Sequence, residues 1–342
     1  MIGYYVHHHG KGHLHRATGL ARVLHDRGVE VTGLSSLPAP EAWPGPWVRL
    51  DRDDEGSQAL DVSAGGRLHW VPRHDGGLRR RSAQVSRWIE EAVPDRVVVD
   101  VSVEVALLAR LHGVPVTGVV LPGRRGDAAH LLGLDVCDQL VGFWPAVATG
   151  APGGPGMLRD VPDTVLERLH AVGGLSRLTA PPAAEAPERR TPGRERSVVV
   201  LLGAGGDTVG ADVLDLARAQ TPGWRWTVLG GAHGAWVPDP TALLAEADVV
   251  VTHAGQNAVA EVATLRRPAV VVPQDRPHDE QRCTGEALAA GPWPVVVEPH
   301  LPADGWAARL EAVAALDGEA WAGWCPPDTA ERFADLVTGA PA

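Results

Sequence analysis

The segment 247–281 constrains the fold more than any other part of the sequence. Its apolar, β-branched run at 249–251 is followed by a polar turn containing Gly255. This order predicts a buried parallel strand that leads directly into a helix. The first N–H groups of that helix, near residues 256–258, lack intrahelical partners and lie at the positive end of the helix dipole. We therefore expect an anion such as a phosphate to bind there, because glycine lets the backbone approach it closely.

A carboxylate and an acidic loop follow this anion site. Asn257 and Glu261 are four residues apart and share one face of the helix, so Glu261 lies about one turn beyond the anion. A carboxylate there can accept hydrogen bonds from the two hydroxyls of a ribose. A second strand at 269–272 leads into the loop 275–281, and parallel strands deliver such loops to one sheet edge. We expect one crevice to hold His253, Gly255, Glu261, Asp279, Glu280 and Gln281.

This pattern resembles the donor-nucleotide motif of the UDP-glycosyltransferase and MurG-like families, which have the GT-B fold. The matching positions are His253, Ala254, Gly255, Gln256, Asn257, Glu261, Pro268, Pro273, Glu280 and Gln281. Two positions depart from the pattern. Ala258 stands where a serine is common, and Arg266 stands where a glycine is common.

The resemblance implies a role for each matching side chain. His253 and the backbone after it would contact the diphosphate, and Glu261 would contact the ribose. Glu280 and Gln281 would contact the transferred sugar.

The N-terminal βαβ pattern contains another glycine-rich turn. A β-rich run at residues 1–6 precedes the turn, and helical apolar spacing follows it. A dinucleotide fingerprint needs a third glycine after Gly10 and Gly12, but that position is His15, which disfavours an NAD enzyme. Lys11 is followed by glycine rather than by Ser or Thr, so the turn is not a P-loop.

Residues 10–17 instead resemble the first glycine-rich loop of the same GT-B families, where G-x-G-H precedes Arg-Ala or Pro-Ala. A histidine of that loop is the family's general base toward the acceptor, and His13 matches it. A neutral imidazole, which ordinarily titrates near about pH 6.5, suits this proton transfer. The accompanying acceptor-loop residues are Gly10, Lys11, Gly12 and Arg16. A metal site among the histidines of residues 7–15 is disfavoured, because alternate strand residues face opposite sides and no carboxylate cluster accompanies them.

Asp100 ends a predicted buried strand on the sheet edge that also carries His13. In UDP-glycosyltransferases an aspartate of this region hydrogen-bonds the base histidine, much as in Ser-His-Asp triads. Asp100 matches that aspartate by position. Its alternative role is the N-cap of the helix that follows.

The chain divides into two α/β halves. Each half alternates strands and helices, which predicts two Rossmann-like, doubly wound domains, as in the GT-B fold, facing a central cleft. We expect an acceptor domain at 1–175, a Pro-rich linker at 176–196 and a nucleotide-sugar domain at 197–342. In the second half, a turn with Gly203 and Gly205 can bring backbone N–H groups to a phosphate.

Composition narrows the range of partners. The net charge of −11 argues against nucleic acid as the main partner. No apolar run approaches 18 residues and the N-terminus lacks the order of a secretory signal, so we expect a cytoplasmic protein. Three distant cysteines give neither a disulfide framework nor a zinc motif. Arg79, Arg80 and Arg81 are typical of a solvated helix face, and their alternative role is a peripheral contact with the inner face of a membrane.

We predict a glycosyltransferase that moves a hexose-type sugar from a nucleotide sugar, with UDP favoured, to a small or lipid-linked acceptor. The nucleotide sugar is a co-substrate, and the scheme needs neither a cofactor nor a metal ion. A single displacement implies inversion at the anomeric carbon. Two alternatives remain open: a nucleotide-sugar hydrolase or epimerase on the same fold, and a non-catalytic nucleotide-sugar-binding protein.

Overall fold

The computed structural model describes residues 1–8, 11–54, 59–150, 154–179, 194–203, 210–232 and 234–339, with only the backbone of Lys11. The chain forms two compact units. The first unit comprises Met1–Phe143, Arg159–Val172 and Pro327–Ala342, and the second comprises Trp144–Leu158 and Gly173–Pro326.

The first part of the chain alternates short strands with helices. The strands are Ile2–Val6 (β1), Val31–Ser35 (β2), Trp47–Arg49 (β3), Arg96–Asp100 (β4), Val116–Val120 (β5), Gly123–Arg124 (β6), Gln139–Gly142 (β7), Leu158–Arg159 (β8) and Leu169–Ala171 (β9). The helices are Lys11–Asp26 (α1), Gly76–Ala92 (α2), Val103–Leu111 (α3), Ala128–Asp135 (α4) and Asp163–Leu166 (α5). A parallel sheet in the order β3-β2-β1-β4-β5-β7-β9 forms the core of the first unit.

The strand order of this sheet determines where its functional residues lie. β2 and β3 extend from one side of β1, whereas β4 and the later strands extend from the other, so the order reverses between β1 and β4. Val6 pairs with Asp100 in the register of these two strands. The segments after β1 and after β4 therefore leave the sheet side by side, at the reversal point where doubly wound sheets bind ligands.

The second unit has its own parallel sheet. Its strands are Arg196–Leu201 (β10), Trp224–Leu229 (β11), Val249–Thr252 (β12), Ala269–Val271 (β13) and Val295–Val297 (β14), and its helices are Ala211–Ala219 (α6), Thr241–Glu246 (α7), Gln256–Thr264 (α8), Glu280–Ala290 (α9) and Trp306–Ala314 (α10). The order β11-β10-β12-β13-β14 reverses between β10 and β12, where Leu201 pairs with Thr252. Residues after these two strands emerge together at that reversal point.

The buried strands explain why the sequence folds this way. β1, β4 and β5 have no exposed residue, and β12 is likewise buried along its whole length. Such continuous Val-rich runs are typical of parallel strands covered by helices on both faces. The predicted α/β fold class is confirmed, with the predicted strands present within one or two residues.

The C-terminal helix Thr329–Thr338 (α11) lies in the first unit, whereas the sequence analysis assigned it to the second domain. Phe333 is fully buried, with its ring centroid 6.4 Å from that of Tyr4 and 5.9 Å from that of Phe143. Arg27 forms ion pairs with Glu331 and with Asp335 of this helix. The boundary differs because α11 packs on α1 and buries Phe333 against Tyr4 of β1 and Phe143. Most of the predicted linker, residues 180–193, lies outside the described residues.

The predicted three-arginine surface is wrong at Arg81. This side chain is buried, and its guanidinium donates hydrogen bonds to Ser36 Oγ at 2.5 Å and to the Tyr5 hydroxyl. Arg80 pairs with the Asp51 carboxylate. Arg81 therefore binds the interior of its own unit and cannot face a membrane. Among the residues described, no helix is both long and apolar enough to cross a bilayer.

Candidate functional site

The structure brings His13 and Asp100 into contact in the first unit. His13 lies in the first turn of α1, and Asp100 is the last residue of β4. His13 Nδ1 is 2.9 Å from Asp100 Oδ1. A proton on Nδ1 would serve the carboxylate, which can only accept, and would leave Nε2 as the basic nitrogen, whereas Arg16 Nη2 also points at this Nδ1 from 3.1 Å. The arrangement matches the base-and-orienter pair that the resemblance implied, and its catalytic role stays a prediction.

Asp100 is not the N-cap of α3. Ser102 takes that position, and its side chain accepts a hydrogen bond from the Val105 N–H at 3.2 Å. Between them, Val101 adopts a φ of 65°, a left-handed conformation that is unfavourable for a β-branched residue. This strained turn aims the Asp100 carboxylate at α1.

The other predicted acceptor-loop residues have varied positions. Gly10 lies outside the described residues, and only the backbone of Lys11, at the start of α1, is described. Gly12 is the second residue of the helix, so the turn is shorter than expected. Arg16 is 8% exposed and binds Asp100. Its guanidinium is directed into the interior, and its role in the acceptor loop stays a prediction.

In the second unit, α8 begins without a side-chain cap, which leaves its first N–H groups for an anion. In the first unit, α2, α3 and α4 each begin with a side chain that accepts a backbone N–H. In α8 the N-cap is Gly255, and among the described residues no side chain caps the helix. The first N–H groups of α8 are thus available to a ligand at the positive end of the helix dipole. Ala258, the departure from the family pattern, contributes no hydroxyl to this end.

Two glycines pack tightly against the ring of His253. A Cβ atom at Gly255 would lie 2.6 Å from His253 Cε1, and one at Gly203 would lie 2.8 Å from His253 Nε2. Larger side chains at either position would displace the ring. The predicted phosphate-binding Gly203 is therefore adjacent to His253, whereas its companion Gly205 lies outside the described residues.

His253 is a neutral hydrogen-bond donor in this site. Its Nδ1 accepts a hydrogen bond from the Gly255 N–H at 3.0 Å, which leaves the proton on Nε2. Burial, reinforced by the charge of Arg276, lowers the pKa of His253 to about 4. At neutral pH the ring can therefore donate a hydrogen bond to an anion without adding a positive charge.

Glu261 is buried and has a partner that the sequence analysis missed. Arg177 Nε donates to Glu261 Oε1 at 2.8 Å, and Arg177 Nη1 donates to the Pro238 carbonyl at 3.0 Å. Burial raises the pKa of Glu261, and the Arg177 charge opposes that rise. Arg177 lies at the start of the predicted Pro-rich linker, 176–196, and no local pattern marks it as a site residue.

The remaining predicted donor residues surround α8 and the start of α9. Gln281 is buried, and its Oε1 accepts hydrogen bonds from the N–H groups of Ala254 and Gln274, at 3.1 and 3.0 Å. It therefore ties the loop after β12 to the loop after β13. Only its amide nitrogen can serve the predicted sugar contact. Glu280 begins α9, preceded by Asp279 in a left-handed conformation with a φ of 54°.

At the start of α8, Gln256 and Asn257 differ in exposure. Asn257 is exposed, whereas Gln256 Nε2 is buried without a hydrogen-bond partner among the described residues.

Among the described residues, two side-chain clusters of the first unit have the composition of metal ligands: His8, Asp53 and Asp54, and His69, Asp127 and His130. The first cluster sets two carboxylates beside His8, which the sequence analysis did not expect. Guanidinium groups already serve both clusters. Arg52 forms a fork on Asp54, with distances of 2.9 and 2.7 Å. Arg125 lies 2.9 Å from His130 Nε2, which fixes the proton on the Nδ1 that faces Asp127. Cations in these positions disfavour a second cation.

The site lies in a segment that known proteins share. The family model for the glycosyltransferase family 28 C-terminal domain matches residues 235–288, which contain β12, α8 and most of α9. A UDP-N-acetylglucosamine--N-acetylmuramyl-(pentapeptide) pyrophosphoryl-undecaprenol N-acetylglucosamine transferase from Rhodospirillum centenum is 30% identical over 187 residues, covering 45% of this chain and 48% of that protein. The chain thus spans about half the length of this curated relative.

Solved structures match nearly the whole chain. The glycotransferase of kitacinnamycin has a TM-score of 0.68 and 20% identity, covering 98% of this chain and 97% of its own. MurG of Acinetobacter baumannii has a TM-score of 0.65 and 16% identity, covering 99% of both chains. The two doubly wound parallel sheets therefore define a protein with the GT-B fold.

Within that class, the segment around α8 is similar to the glycosyltransferase family 28 C-terminal domain and to the MurG-type relatives, which confirms the resemblance seen in the sequence.

Proposed function

We propose that the protein is a glycosyltransferase that takes a sugar from a nucleoside diphosphate sugar. The observation that carries the proposal is the start of α8, which has no side-chain cap and is followed one turn later by the buried carboxylate of Glu261. The helix end suits the diphosphate. The carboxylate oxygens suit the ribose hydroxyls, with Arg177 holding the side chain in place.

The comparisons support UDP as the nucleotide and N-acetylglucosamine as the sugar. The curated relative is named for a UDP-N-acetylglucosamine donor and an undecaprenol-linked acceptor. We extend this donor and a lipid-linked acceptor to the present chain as part of the proposal.

The proposed chemistry is a single displacement with inversion at the anomeric carbon. His13 Nε2 removes the proton of the attacking hydroxyl, while Asp100 keeps the ring in the required tautomer. Negative charge develops on the departing diphosphate. The N–H groups of α8 and the neutral donor His253 stabilise that charge electrostatically, so the scheme assigns no step to a metal ion.

Isothermal titration calorimetry with UDP tests the donor site. The Glu261→Gln protein keeps the shape of the side chain and loses its charge, so we expect its Kd for UDP to rise by about tenfold or more, or about 1.4 kcal/mol. The matched control is Glu311→Gln, which removes a surface carboxylate that is also paired with an arginine, Arg196. The control should bind UDP as the wild type does. Equal affinity in the wild type and Glu261→Gln would refute the site.

A further inference from the structure

Glu261 and Arg177 form an ion pair in the second unit that engages only one oxygen of the carboxylate. Arg177 Nε donates to Glu261 Oε1 at 2.8 Å. The side chain of Glu261 is 8% exposed and that of Arg177 is 30% exposed. Among the described residues, Arg177 is the hydrogen-bond partner of this carboxylate, and it reaches Oε1 alone. Glu261 Oε2 therefore accepts no hydrogen bond within the described part of the chain.

Arginine and carboxylate pairs frequently share two hydrogen bonds, and such a fork occupies both carboxylate oxygens. Arg52 binds Asp54 in this way in the first unit, with Nε 2.9 Å from Oδ1 and Nη2 2.7 Å from Oδ2. Arg177 differs, since its Nη1 donates to the Pro238 carbonyl at 3.0 Å. Its guanidinium is thus shared between Glu261 and the segment before α7, and a single N–H reaches the carboxylate.

The occupied oxygen limits how a ribose can bind to Glu261. A carboxylate without a partner has two oxygens, and each can accept a hydrogen bond from one of two neighbouring hydroxyls. At Glu261, Oε1 already accepts from a charged donor, and hydrogen bonds between charged groups are the stronger ones. A neutral hydroxyl therefore does not displace the guanidinium, and it binds at Oε2.

Only a hydroxyl that has a partner on the protein contributes to selectivity. A site that hydrogen-bonds a substrate hydroxyl rejects the analogue without it, because the polar group of the site is then left unpaired. A hydroxyl without such a partner can be removed at little cost in affinity. One available oxygen on Glu261 therefore implies that one of the two ribose hydroxyls is recognised and the other is not.

We propose that Arg177 is a positioning residue that sets the specificity of the nucleotide site by limiting Glu261 to one ribose hydroxyl. The site then takes a nucleoside diphosphate that lacks the other hydroxyl as readily as it takes the ribonucleotide. This role rests on the proposed function, in which Glu261 binds the ribose. It goes beyond that function because it extends the donor class to deoxyribonucleoside diphosphate sugars.

Isothermal titration calorimetry with UDP, 2′-deoxy-UDP and 3′-deoxy-UDP tests this role. In the wild type we expect one of the two deletions to raise the Kd by about tenfold or more, because it removes a hydrogen bond to a charged group. The other deletion should change the Kd by less than about threefold. A large loss on both deletions, or on neither, would overturn the proposal.

The Arg177→Met protein provides a second measurement, since methionine retains a long side chain and has no donor. Both oxygens of Glu261 are then open to the ribose, so the deletion that has little effect in the wild type should raise the Kd by about tenfold. Titration at pH 8 favours the carboxylate form, because burial raises the pKa of Glu261 and this variant lacks the opposing Arg177 charge.

The Arg177→Lys protein keeps a charged donor and should restore the pattern of the wild type. A merely structural role of Arg177 would weaken the binding of all three nucleotides by the same factor in Arg177→Met. That result would contradict the proposal.

Arg218→Met is the matched control, because Arg218 forms a surface ion pair with Asp215 in the same unit, at 2.9 Å. It should bind all three nucleotides as the wild type does. If Arg177→Met does not fold, the pattern of the wild type alone decides. Absence of UDP binding would refute the donor site itself, whereas UDP binding with equal losses on both deletions would refute only the role of Arg177.

Discussion

His13 gives the sharpest catalytic prediction. Replacing it with asparagine removes the basic nitrogen, so we expect turnover to fall by about 10²- to 10⁴-fold. The Kd for UDP should not change, because the proposed donor-binding residues lie in the second unit. Release of UDP from UDP-N-acetylglucosamine in the presence of a lipid-linked acceptor measures turnover, and calorimetry measures binding.

The control for this change is His112→Asn. His112 is a hydrogen-bond partner of Ser86, with 2.9 Å between Nε2 and Oγ, and follows α3 at the far end from Asp100. Full turnover is expected in the control. Full turnover in His13→Asn would favour a role for this segment other than proton transfer.

His253 gives a prediction about stability against pH. Its pKa is lowered to about 4 in the folded protein, against about 6.5 in the unfolded chain. The unfolded state therefore binds more protons between these two values, and the stability due to the neutral ring is lost as the pH falls from about 6.5 towards 4. The wild type should lose up to about 3 kcal/mol more than His253→Gln across that window.

Urea unfolding at a series of pH values, followed by tryptophan fluorescence, measures this difference. The same dependence of the free energy of unfolding on pH in both proteins would mean that His253 is protonated in the folded state without loss of stability. A His112→Gln protein, altered at a different histidine, should show the same change of unfolding free energy with pH as the wild type.

The sequence predicted individual site residues only where a motif fixes their spacing. The His253–Glu261 spacing lies within a single strand-turn-helix, so local rules place those side chains. Arg177 is 84 residues from its partner Glu261, and Arg16 is 84 residues from Asp100. Such pairs form only when strands and helices assemble, and a single sequence carries no signal for them. The buried positions of Arg81 and Arg16 were missed for the same reason.

The residue that follows α2 has a strained backbone conformation, and a substitution can remove this strain. Val93 has a φ of 46° and is 77% exposed, so a β-branched side chain adopts a left-handed conformation without burying its methyl groups. Glycine tolerates that conformation, and the strain for an L-residue is about 1–2 kcal/mol. We expect Val93→Gly to raise the free energy of unfolding by about 1 kcal/mol, measured by urea denaturation.

Val147 supplies the comparison for this change. It is equally exposed, and it is not among the residues with positive φ in the described chain. Val147→Gly should therefore destabilise the protein through greater freedom of the unfolded chain. Destabilisation by Val93→Gly as well would contradict the strain argument.

Strands and helices were predictable because each has a local cause. Val-rich runs predict buried parallel strands, and the structure has them at 96–100, 116–120 and 249–252. The short strand Leu169–Ala171 was not predicted, since its residues are neither fully buried nor consistently apolar. Arg266 takes a left-handed φ of 56° at the end of α8, where the related families commonly have glycine. The backbone keeps the left-handed conformation at this position although arginine stands in place of glycine.

The burial of Phe333 provides a test of which of the two units contains α11. Phe333 is fully buried against Tyr4 and Phe143, so Phe333→Ala should destabilise the first unit by about 3–5 kcal/mol. The proposed UDP site consists of residues of the second unit, so the Kd for UDP should remain that of the wild type. Urea denaturation with and without UDP separates the two units. A loss of UDP affinity with an unchanged first unit would place α11 in the second unit, as the sequence alone had suggested.

The position of the C-terminal helix α11 in the first unit has a consequence for biosynthesis. The aromatic core around Tyr4 lacks Phe333 until more than 150 further residues have been translated after Val172. A ribosome delivers the complete second unit, through Pro326, before it delivers that last piece. N-terminal regions generally fold first as they emerge. Here the half that emerges first can complete its packing around Tyr4 only at the end of synthesis.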